Sequence, residues 1–171
     1  GVAIVEYDTA SEPPATGLEV SLSRRLYRLI PKAEGAGFTA EPVPPGAALS
    51  IGALYVDELR LSPAKGVHPR FGLLEVPLPP GADVEPTTWG LEVAGLDSEA
   101  ATPFQRSSFE TGQLAYAVPV EALNGPLTVR QLLRFGARGS FHLPPARFFR
   151  MYQPVPMALE HRDTPWQFTV E

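Results

Sequence analysis

Cysteine is absent from this sequence, which removes both a disulfide framework and a thiol nucleophile and leaves His, Asp and Glu as the strong metal ligands. Basic residues are scarce. Fourteen Lys and Arg face 19 Asp and Glu, a formal charge of −5, and a field of that sign repels a phosphate backbone, so nucleic acid is not an expected partner. Long apolar runs are also missing: no stretch approaches the ~18 residues of a spanning helix, so this segment is not expected to insert into a membrane. What is abundant is punctuation. Twenty prolines and 15 glycines leave few windows long enough for an average helix of about 11 residues. With 171 residues and 44% hydrophobic side chains the chain is domain-sized, large enough to bury roughly 70% of its extended surface.

Between the breaks the pattern is that of strands. In residues 113–120, Leu114, Tyr116, Val118 and Val120 share one face and Ala115, Ala117 and Pro119 the other, with Pro119 marking an edge or bulge. In residues 127–135, Leu127, Val129, Leu133 and Phe135 are in phase, opposite Thr128, Arg130 and Arg134. Asn124-Gly125-Pro126 between them is a turn signal, which predicts a hairpin. Gly136-Ala137-Arg138-Gly139 supplies a further tight reversal before Ser140-Phe141-His142. Leu49, Ile51, Ala53 and Tyr55 alternate again, residues 71–76 and 89–93 are short apolar runs, and Trp166, Phe168 and Val170 close the chain. Residues 18–30 fit a strand through Leu18, Val20 and Leu22 and a helical stripe through Leu18, Leu22, Leu26 and Leu29; the reading adopted is a strand with a bulge near Arg24-Arg25. About nine short strands predict an all-β fold, an antiparallel two-sheet sandwich with little or no helix. Leu114, Tyr116, Val129, Leu133 and Phe141 are the expected core. Residues 1–12 read as the last strand of a preceding domain plus linker, and 13–171 as the sandwich, so the sequence reads as a piece of a longer parent.

Few residues of the sequence stand in patterns that carry chemistry. His68, His142 and His161 form neither an H-x-x-x-H pair nor an H-E-x-x-H motif, so no metal is expected. Ser140 and His142 share a strand face, but no G-x-S-x-G elbow is present and a polar pair at a sheet end is the simpler account. Asp57-Glu58 and the pair Asp97, Glu99 read as solvated loop charge rather than a glycosidase dyad. Gly35-Ala36-Gly37 lacks the remainder of a dinucleotide or phosphate loop and reads as a turn. No cofactor and no catalytic residue is expected, and the chain is read as not an enzyme. In residues 147–154, Arg147 and Arg150 alternate with aromatics. Strand alternation predicts Phe149 and Met151 inward and Phe148, Arg150 and Tyr152 outward, since an unpaired buried guanidinium costs several kcal/mol. Arg147, Arg150 and Tyr152 are therefore the candidate interface residues, of the types enriched at interface hot spots.

The run Phe135-Gly136-Ala137-Arg138-Gly139-Ser140-Phe141-His142-Leu143-Pro144-Pro145-Ala146-Arg147, followed by Met151-Tyr152-Gln153-Pro154, resembles the closing motif of the bacterial alpha-2-macroglobulins. The Arg-x-Leu-Tyr of Arg24-Arg25-Leu26-Tyr27 within residues 22–29, and Val76-Pro77-Leu78-Pro79-Pro80-Gly81-Ala82 before Trp89, fit the same family, so the resemblance spans residues 18–171. Phe109-Glu110-Thr111-Gly112-Gln113 stands where family members carry an Arg-Asp-Asp-Arg-like run, a departure that marks a divergent branch. The resemblance implies the C-terminal, macroglobulin-like sandwich of a large periplasmic defence protein, often a lipoprotein of the inner membrane, that inhibits endopeptidases by trapping them. The implied partners are neighbouring domains of the parent, proteases through the parent, and another periplasmic protein. The competing reading is a carbohydrate-binding or adhesin-type sandwich, which an exposed Trp89 or Trp166 on a flat face would favour.

Overall fold

The computed structural model describes residues 19–85, 91–96, 109–110 (backbone alone), 115–153, 155–162 and 166–171. Within these the chain forms strands β1 (Val20–Pro31), β2 (Phe38–Pro42), β3 (Ala48–Leu49), β4 (Leu54–Pro63), β5 (Arg70–Pro77), β6 (Ala82–Val84), β7 (Val93–Ala94), β8 (Phe109–Glu110), β9 (Ala115–Ala122), β10 (Leu127–Phe135), β11 (Gly139–Leu143), β12 (Arg147–Arg150), β13 (Pro156–Leu159) and β14 (Trp166–Val170). The all-β sandwich expected from the punctuation is what the chain forms. A six-stranded sheet, β6-β10-β4-β1-β2-β7, and a five-stranded sheet, β13-β12-β5-β9-β8, pack around one core. A small third sheet, β11-β14-β3, closes that core with Leu49, Leu143, Phe168 and Val170. Pairing is antiparallel except for β3 with β14 and β2 with β7.

The core is built by alternation. Val20, Leu22 and Leu26 of β1, Tyr55, Leu59 and Leu61 of β4 and Val129, Leu133 and Phe135 of β10 meet Leu74 and Val76 of β5, Tyr116, Val118 and Val120 of β9 and Phe148 of β12. Of the expected core, Tyr116, Val129 and Leu133 are buried and Phe141 is half-buried against the cluster, while Leu114 lies outside the described residues. The outer face of the six-stranded sheet is also apolar at one end, where Tyr27, Leu29, Ala40, Val56 and Leu132 pack under Leu91, Val93 and Leu96. Leu132 and Leu133 thus point to two different cores, and β10 is buried on both faces over much of its length. Pro119 lies opposite Leu73 of β5, and the described pairs of β9 with β8 are Ala117 with Phe109 and Tyr116 with Glu110.

Several local expectations are overturned. Strands β9 and β10 are not a hairpin: they lie in different sheets, and residues 123–126 cross from one to the other, pinned by Leu123 N–H to the Pro69 carbonyl at 2.8 Å. Glycine-rich residues 136–139 likewise leave the six-stranded sheet for the small third one instead of reversing within it. Turn chemistry specifies a change of direction, but burial of apolar faces on two sheets decides which sheet receives the next strand. The expected bulge near Arg24-Arg25 is absent, since Val20 through Arg28 pair without interruption with Pro63 through Tyr55. Alternation persists through Arg24, whose side chain enters the core side and is neutralised there. Ile51 is exposed in the turn between β3 and β4 rather than in a continuous strand.

Two inward/outward assignments also change. Phe148, expected outward, is fully buried, and Phe149 and Met151 are only half-buried. The cause is Gly72 on β5: a Cβ there would come within 2.3 Å of the Phe148 ring, so the missing side chain is the space the ring occupies. A register shift between Phe148 and Phe149, and the end of β12 at Arg150, then break the alternation before it reaches Tyr152. Asp57-Glu58 is not solvated loop charge. Both residues lie buried in β4, on its opposite faces. Residues 1–18, Trp89, Asp97, Glu99 and Pro154 lie outside the described residues, and with them the expected boundary after residue 12.

Candidate functional site

Two places carry polar chemistry, one inside the sandwich and one on its surface. Inside, β1 presents Arg24 to β4 and β9. Its Nε and Nη2 donate to Asp57 Oδ1 and Oδ2, each at 2.7 Å, and Nη1 donates to the Pro77 carbonyl at 3.0 Å. Tyr116 Oη donates to the second Asp57 oxygen at 3.0 Å. This is a bidentate fork with a third donor on the same carboxylate, the arrangement in which an arginine binds an acid most strongly. Burial disfavours the charged guanidinium, but the Asp57 carboxylate, its hydrogen bonds and the more distant Glu160 outweigh that, and the net push on the Arg24 pKa is upward. Burial, and then the neighbouring Asp57 charge, hold the Tyr116 phenol well above the ordinary value for tyrosine. Arg24 and Tyr116 are both held in their protonated forms across the physiological range, and with Asp57 they lock the two sheets together.

The same seam continues outward through Trp166, at the start of β14, which carries the Arg162 guanidinium at 4.7 Å and that of Arg24 at 5.8 Å from its ring centre. Arg162 is in turn fixed by Glu160: Nε to Oε1 at 2.7 Å and Nη2 to Oε2 at 2.8 Å, with further donation to the carbonyls of Leu143 and Pro144. Glu160 also receives the Ala146 N–H at 2.8 Å. Beside this ring lies an open groove of about 640 Å³ lined by Arg24 to Tyr27, Pro42 to Pro45, His161, Arg162 and Trp166. On the outer face of β4, Glu58 accepts from Arg130 Nε at 2.8 Å.

On the surface, the candidate interface residues sit around the turn after β12. Arg147 is half-exposed and ion-paired to Glu75 of β5, Arg150 is exposed at the strand end, and Tyr152 is fully exposed, at 101%. The turn closes by Gln153 N–H to the Arg150 carbonyl at 3.1 Å, which puts Tyr152 at its third position with φ of 69°, where glycine or asparagine is usual. Met151 N–H bonds the Phe71 carbonyl at 2.8 Å, and Phe71 is a second bulky residue with positive φ, 55°, and 58% exposure. Val155, 73% exposed, follows. Arg150 and Tyr152 thus emerge together as expected, while Arg147 is engaged with Glu75. Sequence reading missed Phe71 and Val155 at the surface and Arg24, Glu160, Arg162 and Trp166 at the seam; for Arg24 the signal was present, as an arginine in phase with Leu22 and Leu26.

Ser140 and His142 both look across β11 to β14, Ser140 Oγ lying 3.4 Å from Thr169 Oγ1 and His142 Nε2 3.3 Å from Gln167 Nε2. Among the described residues no three His, Asp or Glu side chains gather as a metal-binding set, and no helix is long and apolar enough to cross a membrane.

The fold and site define a β-sandwich domain in which buried arginines are paired with acids and three of the exposed large apolar groups, Phe71, Tyr152 and Val155, belong to one strained turn and its flanks. The comparisons give this class a family. No family model matches the chain. It is 45% identical to the alpha-2-macroglobulin of Ralstonia nicotianae over 92% of its own length, and it spans only 12% of that relative. Solved structures agree in fold: the native conformation of Escherichia coli alpha-2-macroglobulin (TM-score 0.61, 16% identity, 89% of this chain and 9% of that one) and Salmonella alpha-2-macroglobulin reacted with methylamine (TM-score 0.56, 14% identity, 88% and 9%). A third, native Escherichia coli alpha-2-macroglobulin from domain MG7 to the C-terminus, holds a counterpart of 92% of this chain within 24% of its own (TM-score 0.57, 17% identity). The chain belongs to the bacterial alpha-2-macroglobulins and corresponds to a domain from their C-terminal region.

Proposed function

We propose that this chain is a non-catalytic docking and structural domain of a periplasmic, protease-trapping alpha-2-macroglobulin, and that it engages a neighbouring domain of its parent through Arg150, Tyr152 and Phe71. The observation that carries the reading is Tyr152, a large amphipathic ring held fully in solvent by a backbone conformation that costs an ordinary residue about 1–2 kcal/mol. Strain kept at an exposed aromatic is what a recognition element needs, since tyrosine and arginine anchor interfaces at low entropic cost. Arg147, tied to Glu75, borders the same surface and keeps the rim polar. Support for a non-catalytic role comes from the buried acids: Asp57, Glu58 and Glu160 each hold an arginine of this chain.

In this reading the parent stands in the periplasm, anchored to the inner membrane, and serves bacterial defence as an endopeptidase inhibitor. Proteases meet this domain through the parent, and another periplasmic protein joins the assembly. The test is to mix the parent, and the parent carrying Tyr152→Ala with Arg150→Ala, with an endopeptidase, then assay a small peptide substrate and a large protein substrate. The intact parent is expected to spare the first activity and suppress the second, and the double variant to lose that selectivity; equal cleavage of both substrates with the intact parent would overturn protease trapping. The carbohydrate-binding alternative is weakened at Trp166, whose half-buried ring carries the Arg162 and Arg24 guanidinia in place of a bare stacking face.

A further inference from the structure

The groove beside Trp166 coincides with a gap in the hydrogen bonding of β1. On the side of β1 away from β4, the Leu26 carbonyl accepts from Val43 N–H at 2.8 Å and the Leu22 carbonyl accepts from His161 N–H at 3.0 Å. Backbone groups change sides at every residue along a strand, so the N–H and C=O of Arg24 and the N–H of Leu26 point the same way, into the space between Val43 and His161. Among the described residues none bonds these three groups. Strand β2 pairs with β1 only as far as Pro42 opposite Tyr27, and Pro44 and Pro45 then carry the chain away. Leu22 to Leu26 spans about 13 Å at the usual strand rise, room for a segment of three or four extended residues.

The walls of this gap select what enters it. Trp166, Val43 and the three prolines are apolar; Arg24 and Arg162 are tied to Asp57 and Glu160, Arg25 and His161 bring further basic groups to the rim, and among the described residues none that lines the groove is acidic. Arg25 and His161 are solvent-exposed. We propose that the open edge of β1 is a strand-addition site for an extended acidic segment of a partner protein. Its backbone bonds Arg24 and Leu26, an apolar side chain covers Trp166, and a carboxylate faces Arg25 and His161. Main-chain pairing supplies the affinity and the alternate side chains the selectivity, as in other peptide additions to sheet edges. The site is separate from the Tyr152 turn, and its test does not depend on the parent.

The probe is the blocked peptide acetyl-Thr-Val-Glu-Val-Glu-Thr-amide added to the full 171-residue chain, with amide hydrogen exchange followed by NMR. Exchange at the Arg24 and Leu26 amides is expected to slow about tenfold or more at saturation, with affinity falling about tenfold in the Arg25→Gln variant, which removes the charge without setting a second acid opposite Glu58. A version of the peptide with proline at its central positions, lacking the donors, is expected to lose binding, and a Glu-to-Gln version to bind several-fold more weakly. No binding at millimolar peptide, binding without protection of those two amides, or equal affinity for the proline version would overturn the proposal.

Discussion

The seam at Arg24 and the turn at Tyr152 each set an arginine beside an aromatic ring, yet they behave as opposites. At the seam the Arg24 guanidinium and the Tyr116 phenol have fixed acceptors, the acid is shared between them, and the charges serve to align two sheets. At the turn the ring is in water, the arginine has no burial to justify it, and the backbone is strained. Residue type alone therefore does not distinguish the two places; solvent exposure and the cost of the local conformation do.

The largest way to break this contrast is at the seam. Asp57→Ala removes the carboxylate and leaves a buried guanidinium and a buried phenol unpaired, which is expected to cost about 3–5 kcal/mol in urea unfolding. A loss below 1 kcal/mol would show that the pair contributes no more than a surface contact. Phe148→Ala comes next, at about 3–5 kcal/mol, because the ring fills the volume over Gly72; the same measurement on Phe149→Ala should give a clearly smaller loss. Their order reports the strand phase directly.

A third experiment separates the phenol from its neighbours. The Tyr116 pKa is raised in the folded chain, so its folded form stays protonated when the unfolded chain has begun to ionise, and its stabilising contribution is complete below about pH 10 and lost as pH rises beyond it. Stability is expected to fall above pH 10 with a slope that Tyr116→Phe reduces by up to one proton. An unchanged slope would mean that the phenol ionises as freely folded as unfolded.

How much of this was legible in the sequence follows from the same contrast. Period-two alternation located β9, β10 and β14, a short apolar run located β5, and Tyr116, Val129 and Leu133 are buried as expected, because apolar burial is what alternation encodes. It failed at Arg24, Asp57 and Glu58, where charge occupies positions reserved for apolar residues; alternation cannot say that an arginine on one strand meets an aspartate 33 residues away. It failed at Phe148 because the deciding residue, Gly72, lies on another strand. Connectivity failed for a similar reason: Asn124-Gly125-Pro126 and Gly136 to Gly139 look like hairpin turns, but the sheets they join are set by long-range packing. The exposure of Arg150 and Tyr152 was legible, since neither group is buried at low cost. The positive φ that distinguishes Tyr152 has no signature in residue type, tyrosine being an unusual occupant of such a turn position.

The account rests most heavily on the claim that Tyr152 is kept for docking at the expense of stability, and one calorimetric comparison addresses it. Tyr152→Gly relieves the positive φ, so the variant chain is expected to be as stable as the original or up to about 1 kcal/mol more stable, while its affinity for the remainder of the parent protein, titrated in the same instrument, falls about tenfold or more. Unchanged affinity, or a variant that is destabilised while still associating, would contradict the account.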